Sequence, residues 1–173
     1  WIIWLPGKSG LWSPTNVLSV WSRGPEFDLK THYYFGKLKI DFASRYQFIL
    51  STNEKTSAGD ASSTDKQLIY TPREKMQVSF GTDYKGYSIS FNYNYVGYRF
   101  TTADNTQYLK PYDVINLHLG KSFSLANMGT SIHFKVNNIL NADYQIISYY
   151  PMPGRYYQFG INMNYNQPNN KKN

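Results

Sequence analysis

Cysteine is absent from all 173 residues, which excludes disulfides and thiolate metal sites. The absence suits the cytosol and equally a chain that crosses an oxidising periplasm. No apolar run approaches the ~18 residues of a spanning helix; the longest, such as residues 1–6, are far too short. Membrane-spanning helices are thereby excluded, but a β-barrel is not, because its signal is spread over alternating strands of about 10 residues. Initiator methionine and signal peptide are both lacking. The chain opens on Trp-Ile-Ile-Trp, as if entered mid-strand, and reads as a fragment or a processed piece.

Catalytic and metal-binding patterns are equally scarce. His32, His118 and His133 have no neighbouring His, Cys or Glu at metal-ligand spacing and read as polar fillers. No serine sits in a G-x-S-x-G context, and the glycines form no phosphate-binding loop. No enzyme activity, metal or cofactor is expected. The net charge is +7, yet Arg45, Arg73, Lys85, Arg99 and Lys121 form no block, and Lys171 and Lys172 lie on a polar tail. Scattered charge of this kind reads as solvated surface, and nucleic acid is not an expected partner.

What the sequence has in abundance is tyrosine. There are 17, aromatics make up 18% of the chain, and the mean hydropathy is still −0.55. That combination suits β-structure with one apolar and one wet face. In the last strand, residues 154–165, Tyr157, Phe159, Ile161, Met163 and Tyr165 alternate with small or polar residues. The same period of two marks residues 17–34, 38–52, 74–84, 87–101, 113–123 and 130–138, and residues 1–4 read as the end of a first strand. Gly24-Pro25 predicts a break or bulge, because proline cannot donate to a ladder. A shift of the apolar set near Val96–Gly97 predicts another.

Eight antiparallel strands result, and their connections alternate in length. Residues 5–16, 53–71, 102–111 and 139–153 are long loops; residues 34–37, 84–87 and 124–128 are short turns. Loops at one end and turns at the other are expected of an outer-membrane barrel. The polar face carries Glu26, Asp28, Lys30, Lys39, Asp41, Arg45 and Gln77, which cannot fill a dry core without strict pairing. The apolar face is therefore expected to meet lipid, and the polar face a wet or plugged lumen. Tyr33, Tyr84, Tyr87 and Tyr165 fall where an interfacial aromatic girdle belongs.

Near the C-terminus, Asn137-Asn138-Ile139-Leu140-Asn141-Ala142-Asp143-Tyr144 is followed by Tyr150-Pro151-Met152-Pro153-Gly154-Arg155 and the final amphipathic strand. This order resembles the C-terminal end of TonB-dependent outer-membrane receptors. Ser22-Arg23-Gly24-Pro25-Glu26 is similar to an upstream family segment. The family usually ends on an aromatic residue, whereas eight residues follow Tyr165 here. The resemblance implies an all-β, antiparallel transmembrane barrel of about twenty-two strands with a plugged lumen. Residues 1–165 would be its C-terminal portion and 166–173 a polar tail. It also implies import of an iron-siderophore, haem or corrinoid (vitamin B12-type) ligand, and energising by TonB through an N-terminal region not in this chain. Outer-membrane lipid and lipopolysaccharide would surround the wall, and a surface lipoprotein is a further partner that it admits.

Ligand contacts would fall on the long loops and the upper lumen. Tyr144, Tyr149, Tyr150 and Arg155 form the first candidate group; Tyr98, Arg99 and Tyr108 form the next, with the loop at 53–71. Aromatic side chains give large contact area with few lost rotamers. The same tyrosines could instead form an outer girdle and fill the barrel mouth. Two other functions fit the strand count: a complete eight-stranded barrel with a structural or adhesion role, and an outer-membrane enzyme.

Overall fold

The computed structural model describes residues 2–6, 11–16, 19–55, 63–125 and 128–165. Seven strands form one antiparallel meander: β4 (Glu26–Phe35), β5 (Leu38–Phe48), β7 (Glu74–Tyr84), β8 (Tyr87–Val96), β11 (Tyr112–Leu125), β12 (Met128–Asn137) and β15 (Tyr156–Tyr165). Each is hydrogen-bonded to its neighbour in sequence order, and β4 and β15 are the two edges. The sheet is open.

The register explains why alternation in the sequence becomes two continuous faces. Tyr33, Ile40, Thr82, Ile89, Leu119, Phe134 and Phe159 are cross-strand partners in one row spanning all seven strands. The next row on that face is Thr31, Phe42, Phe80, Phe91, Leu117, Val136 and Tyr157. Between them on the opposite face runs His32, Asp41, Gly81, Ser90, His118, Lys135 and Gln158. The apolar face is not covered: Phe27, Tyr33, Phe159 and Met163 are each 60% exposed or more. In water every such Phe or Met would forgo about 2 kcal/mol of transfer free energy. A contiguous apolar surface of this extent marks contact with an apolar surrounding.

Two-residue turns close one end. Phe35 pairs with Leu38, one residue further along than the sequence pattern places the turn, and Gly36 (φ 59°) supplies the left-handed position. Tyr84 pairs with Tyr87 around Lys85 (φ 47°) and Gly86 (φ 80°), the two positive angles of a type I′ hairpin. The strands β11 and β12 run on to Leu125 and Met128, past the level of Tyr87, which is opposite Lys121. That stagger is the shear of a tilted wall.

The other end departs from the simple loops expected. β4 is preceded by β3 (Ser19–Arg23) and β5 is continued by β6 (Leu50–Lys55), and these two pair separately. The break falls at Gly24-Pro25, where Phe48 N–H donates to Pro25 O. Strand thus extends three residues into the segment expected to loop from residue 53. Of residues 5–16, expected as a loop, 5–6 and 12–16 are strand: β1 (Ile2–Pro6) and β2 (Trp12–Asn16) form a hairpin in which Trp4 opposes Pro14, and residues 7–10 lie outside the described residues. Among the described residues β1 joins this hairpin and not the large sheet, which therefore has seven strands where eight were expected. Small hairpins also form here: β9 (Arg99–Phe100), at the end of the expected strand 87–101, pairs with β10 (Tyr108–Leu109) in the loop at 102–111, and β13 (Gln145–Ile147) pairs with β14 (Tyr150–Pro151) inside the loop at 139–153. The strand β8 stops at Val96, at the predicted irregularity, with Gly97 N–H donating to Glu74 O. The tail at 166–173 lies outside the described residues, as does Val17.

Among the described residues, apolar burial is confined to this loop layer and the adjoining start of β11. Leu68, Ile69 and Val114 are the buried apolar side chains among the described residues. Residues 63–71 fold back along β6: Leu68 N–H donates to Ser51 O, and Asn53 N–H to Lys66 O. Gln67, 2% exposed, accepts from Ser51 N–H and donates to Thr71 O. Asn105 (φ 61°) joins this segment to the next hairpin through Gln67 N–H to its Oδ1 and its Nδ2 to Gln67 O. Gly24 has φ 151°, and a Cβ there would stand 1.7 Å from Phe48 O. Gly24→Ala should destabilise the full-length protein by about 1–3 kcal/mol, read as an earlier midpoint in denaturant unfolding.

Candidate ligand-binding site at the loop end

The site is built where β8 and β11 leave the sheet on its polar face. Tyr112 opens β11, opposite Val96, in the row that continues to Lys75, Gln47 and Glu26. The Tyr144 ring stacks on it, centroids 4.3 Å apart and planes 28° from parallel. The Arg99 guanidinium lies 4.7 Å from the Tyr112 centroid, and its Nη2 donates to Lys110 O at 2.9 Å. Arg99 is 3% exposed, and its Nε is buried without a partner. Burial pulls this guanidinium down from its ordinary value, yet arginine stays charged. Burial likewise pushes the Tyr144 phenol up, so it remains a neutral hydroxyl donor.

Tyr144 walls two hollows. One, of about 300 Å³, runs along the polar face and is bounded by Lys75, Gln77, Asn94, Asn116 and Tyr112. The other, of about 260 Å³, is bounded by Tyr108, Lys110, Asp143 and Gln145. Small-molecule sites usually enclose roughly 300–1,000 Å³. Each hollow therefore suits one wall of a site better than a whole one.

Of the residues singled out from sequence, the structure brings Arg99 and Tyr144 together through Tyr112, which the sequence reading missed. Tyr112 follows Pro111 at a strand start, and nothing local marks it. Tyr98 and Tyr108 meet in a second aromatic cluster, and Tyr108 also walls the smaller hollow with Tyr144. Strand alternation turns Tyr98 and Phe100 away from Arg99; Tyr98 makes edge contacts with Phe100 (5.4 Å) and Tyr108 (6.0 Å), and the Arg73 guanidinium lies 5.9 Å from both the Tyr98 and the Phe100 rings. Tyr149 (φ 69°, 92% exposed) and Tyr150 are at the turn of the β13–β14 hairpin. Arg155 is exposed, and its backbone N–H donates to Asn141 Oδ1.

Asn138 holds the Tyr144 loop in place. It is 2% exposed at φ 51°. Its N–H donates to Asn116 Oδ1, its Nδ2 to Ala142 O and Pro153 O, and its Oδ1 accepts from Ala142 N–H. The side-chain amide thus ties the two ends of the 139–153 loop together, and the backbone N–H ties them to β11. On the neighbouring turn, Asp104 accepts from the Thr106 hydroxyl and N–H, and hydrogen bonds from Thr102 and Thr106 hold its carboxyl below the usual range.

A model of the TonB dependent receptor-like β-barrel matches residues 2–139. The chain belongs to that family. Among solved structures it is similar to BauA, the ferric preacinetobactin receptor from Acinetobacter baumannii, with 14% identity and a TM-score of 0.68 over 94% of this chain and 25% of that one. It is also similar to FyuA, the ferric yersiniabactin uptake receptor from Yersinia pestis, with 17% identity and a TM-score of 0.56 over 83% of this chain and 23% of that one. The chain spans about a quarter of the length of these receptors. No curated protein sequence matches it. At such identities the likeness shows the fold: a section of receptor barrel wall.

Within that wall, Asn138→Ala removes three side-chain hydrogen bonds. At ~1 kcal/mol each, the 139–153 loop should loosen by about 3 kcal/mol. Limited proteolysis of the full-length protein should then show faster cleavage within that loop and unchanged cleavage elsewhere.

Proposed function

We propose that this chain is part of the wall and surface loops of a TonB-dependent outer-membrane transporter that imports a ferric chelate of the siderophore type, with haem or a corrinoid as related cargoes. The membership of residues 2–139 in the receptor barrel family carries the reading. Two features of the sheet agree with it. Its exposed aromatic face suits lipid and lipopolysaccharide, and its charged face suits a hydrated lumen. The short-turn end is periplasmic and the loop end extracellular, so the Tyr112–Tyr144 stack stands at the mouth of the lumen. The ferric ligands named for BauA and FyuA make a ferric chelate the first cargo to test. TonB would act through an N-terminal region of the full-length receptor.

In this reading the stacked tyrosines form one wall of the ligand site, and Arg99 backs Tyr112 from behind. Tyr144 offers a flat apolar surface, and the charge behind the stack biases the site towards anionic or metal-chelating oxygen groups. A complete eight-stranded barrel is less well supported, because β4 and β15 are unpaired edges in an open sheet among the described residues. A spanning barrel has no free edges.

Cells carrying the full-length protein should accumulate radio-iron from at least one of a panel of ferric catecholate, hydroxamate and carboxylate chelates. Accumulation should fall to background when TonB is deleted; uptake that persists unchanged would sink the transport reading. Tyr144→Ala should weaken binding of the transported chelate about tenfold, as expected for one lost aromatic contact of ~1.5 kcal/mol. Titration of the purified full-length receptor measures it.

A further inference from the structure

The apolar face contains one row that a membrane wall should not tolerate without compensation. Phe35, Leu38, Tyr84, Tyr87, Lys121, Ile132 and Ile161 are successive cross-strand partners, so Lys121 is a cation set between tyrosine and isoleucine. Its position is fixed. Nζ lies 3.4 Å from the Tyr87 ring centroid and donates to Lys85 O at 3.1 Å. The Lys85–Gly86 turn is itself clasped to β11, since Ser122 N–H donates to Gly86 O at 2.7 Å, and a Cβ on Gly86 would stand 2.4 Å from Ser122 O. Lys85 adds a second ammonium, 5.1 Å from the Tyr84 ring.

Neither ammonium has a carboxylate within ion-pair distance among the described residues, where the pairs involve Asp28 and Asp41. The nearest acid in sequence, Asp83, alternates to the polar face and is opposite Lys39. Two cations therefore meet here, Lys85 in the turn and Lys121 on β11 beside it, next to exposed tyrosines and with no carboxylate paired to either among the described residues. Ring faces hold such cations while leaving their outer side open. Tyrosine and lysine together at this depth are the side chains that meet lipid headgroups.

We propose that Lys85 and Lys121, seated on Tyr84 and Tyr87, bind the phosphate of an anionic phospholipid headgroup in the periplasmic leaflet. The inference rests on the membrane orientation proposed above. It assigns the turn end a lipid site distinct from the ligand-binding mouth.

The test uses full-length protein extracted from outer membranes in mild detergent and offered phosphatidylglycerol or phosphatidylethanolamine, with retained lipid read by native mass spectrometry. Retention should favour phosphatidylglycerol, and each of Lys85→Gln and Lys121→Gln should reduce that preference roughly fivefold. Lys30→Gln, on the polar face, should leave it unchanged. Tyr87→Leu, which keeps both charges, should reduce it less than Lys121→Gln. Equal retention of the two lipids by the parent protein, or an undiminished preference in either single lysine variant whose barrel remains resistant to unfolding in detergent, overturns the site. Absence of the protein from the outer-membrane fraction overturns the transporter reading and the site with it.

Discussion

The unbroken antiparallel register from β4 to β15 is the constraint on which the rest of the structure depends. Each strand satisfies its backbone groups sideways, so neither face of the sheet has to be polar for the hydrogen bonds to form. That freedom allows Phe42, Phe80, Phe91 and Leu117 to share a face with almost no polar interruption. Because side chains alternate with a period of two, the same register gathers Lys30, Ala43, Ser79 and Asn92 on the other face. Two solvents can then be divided by a wall one chain thick.

The loop end obeys a different rule. Above the break at Gly24-Pro25 the chain can no longer rely on a surrounding apolar medium, and it begins to bury its own side chains. Gln67, Leu68 and Ile69 are buried within the segment that returns along β6. Polar groups buried here are met one by one, as with Gln67 and Asn138, because an unmet one costs about 1–3 kcal/mol. Among the described residues Arg99 and Arg73 are exceptions, each with a buried Nε unmet, the first beside Tyr112 and the second beside Tyr98 and Phe100. An incompletely satisfied cation next to two stacked rings is what sets this part of the loop layer apart from its surroundings.

Much of the wall was legible because period-two alternation is a local signal. Residues 74–84 could be placed on their two faces from alternation alone, and the register agrees in Phe80 opposite Phe91 and Ser79 opposite Asn92. The hairpin β1–β2 was not legible, since Ser13, Pro14, Thr15 and Asn16 carry the composition of a loop and form a strand only through pairing with residues 2–5. The two-residue ladders of β9 and β10 are too short to show any period. For the candidate site, Arg99 and Tyr144 were visible as residue types but Tyr112 was not. Their contact joins positions far apart in sequence, and only the folding of two loops onto one strand end creates it.

The charges on the polar face return the argument to register. Asp28 pairs with Arg45 across β4 and β5, Lys30 approaches Asp28 at 3.9 Å, and Lys39 meets Asp41 at 2.8 Å. These side chains are 38–72% exposed, so solvent screens each pair and it contributes little. Their weight lies elsewhere. Slipping β4 by one residue against β5 would carry Asp28, Lys30 and His32 to the face that holds Phe27, Leu29 and Tyr33. On a membrane-facing surface a midplane lysine or arginine costs about 2–4 kcal/mol, which exceeds what the correct pairs contribute. The charged ladder therefore selects the register chiefly by what it forbids.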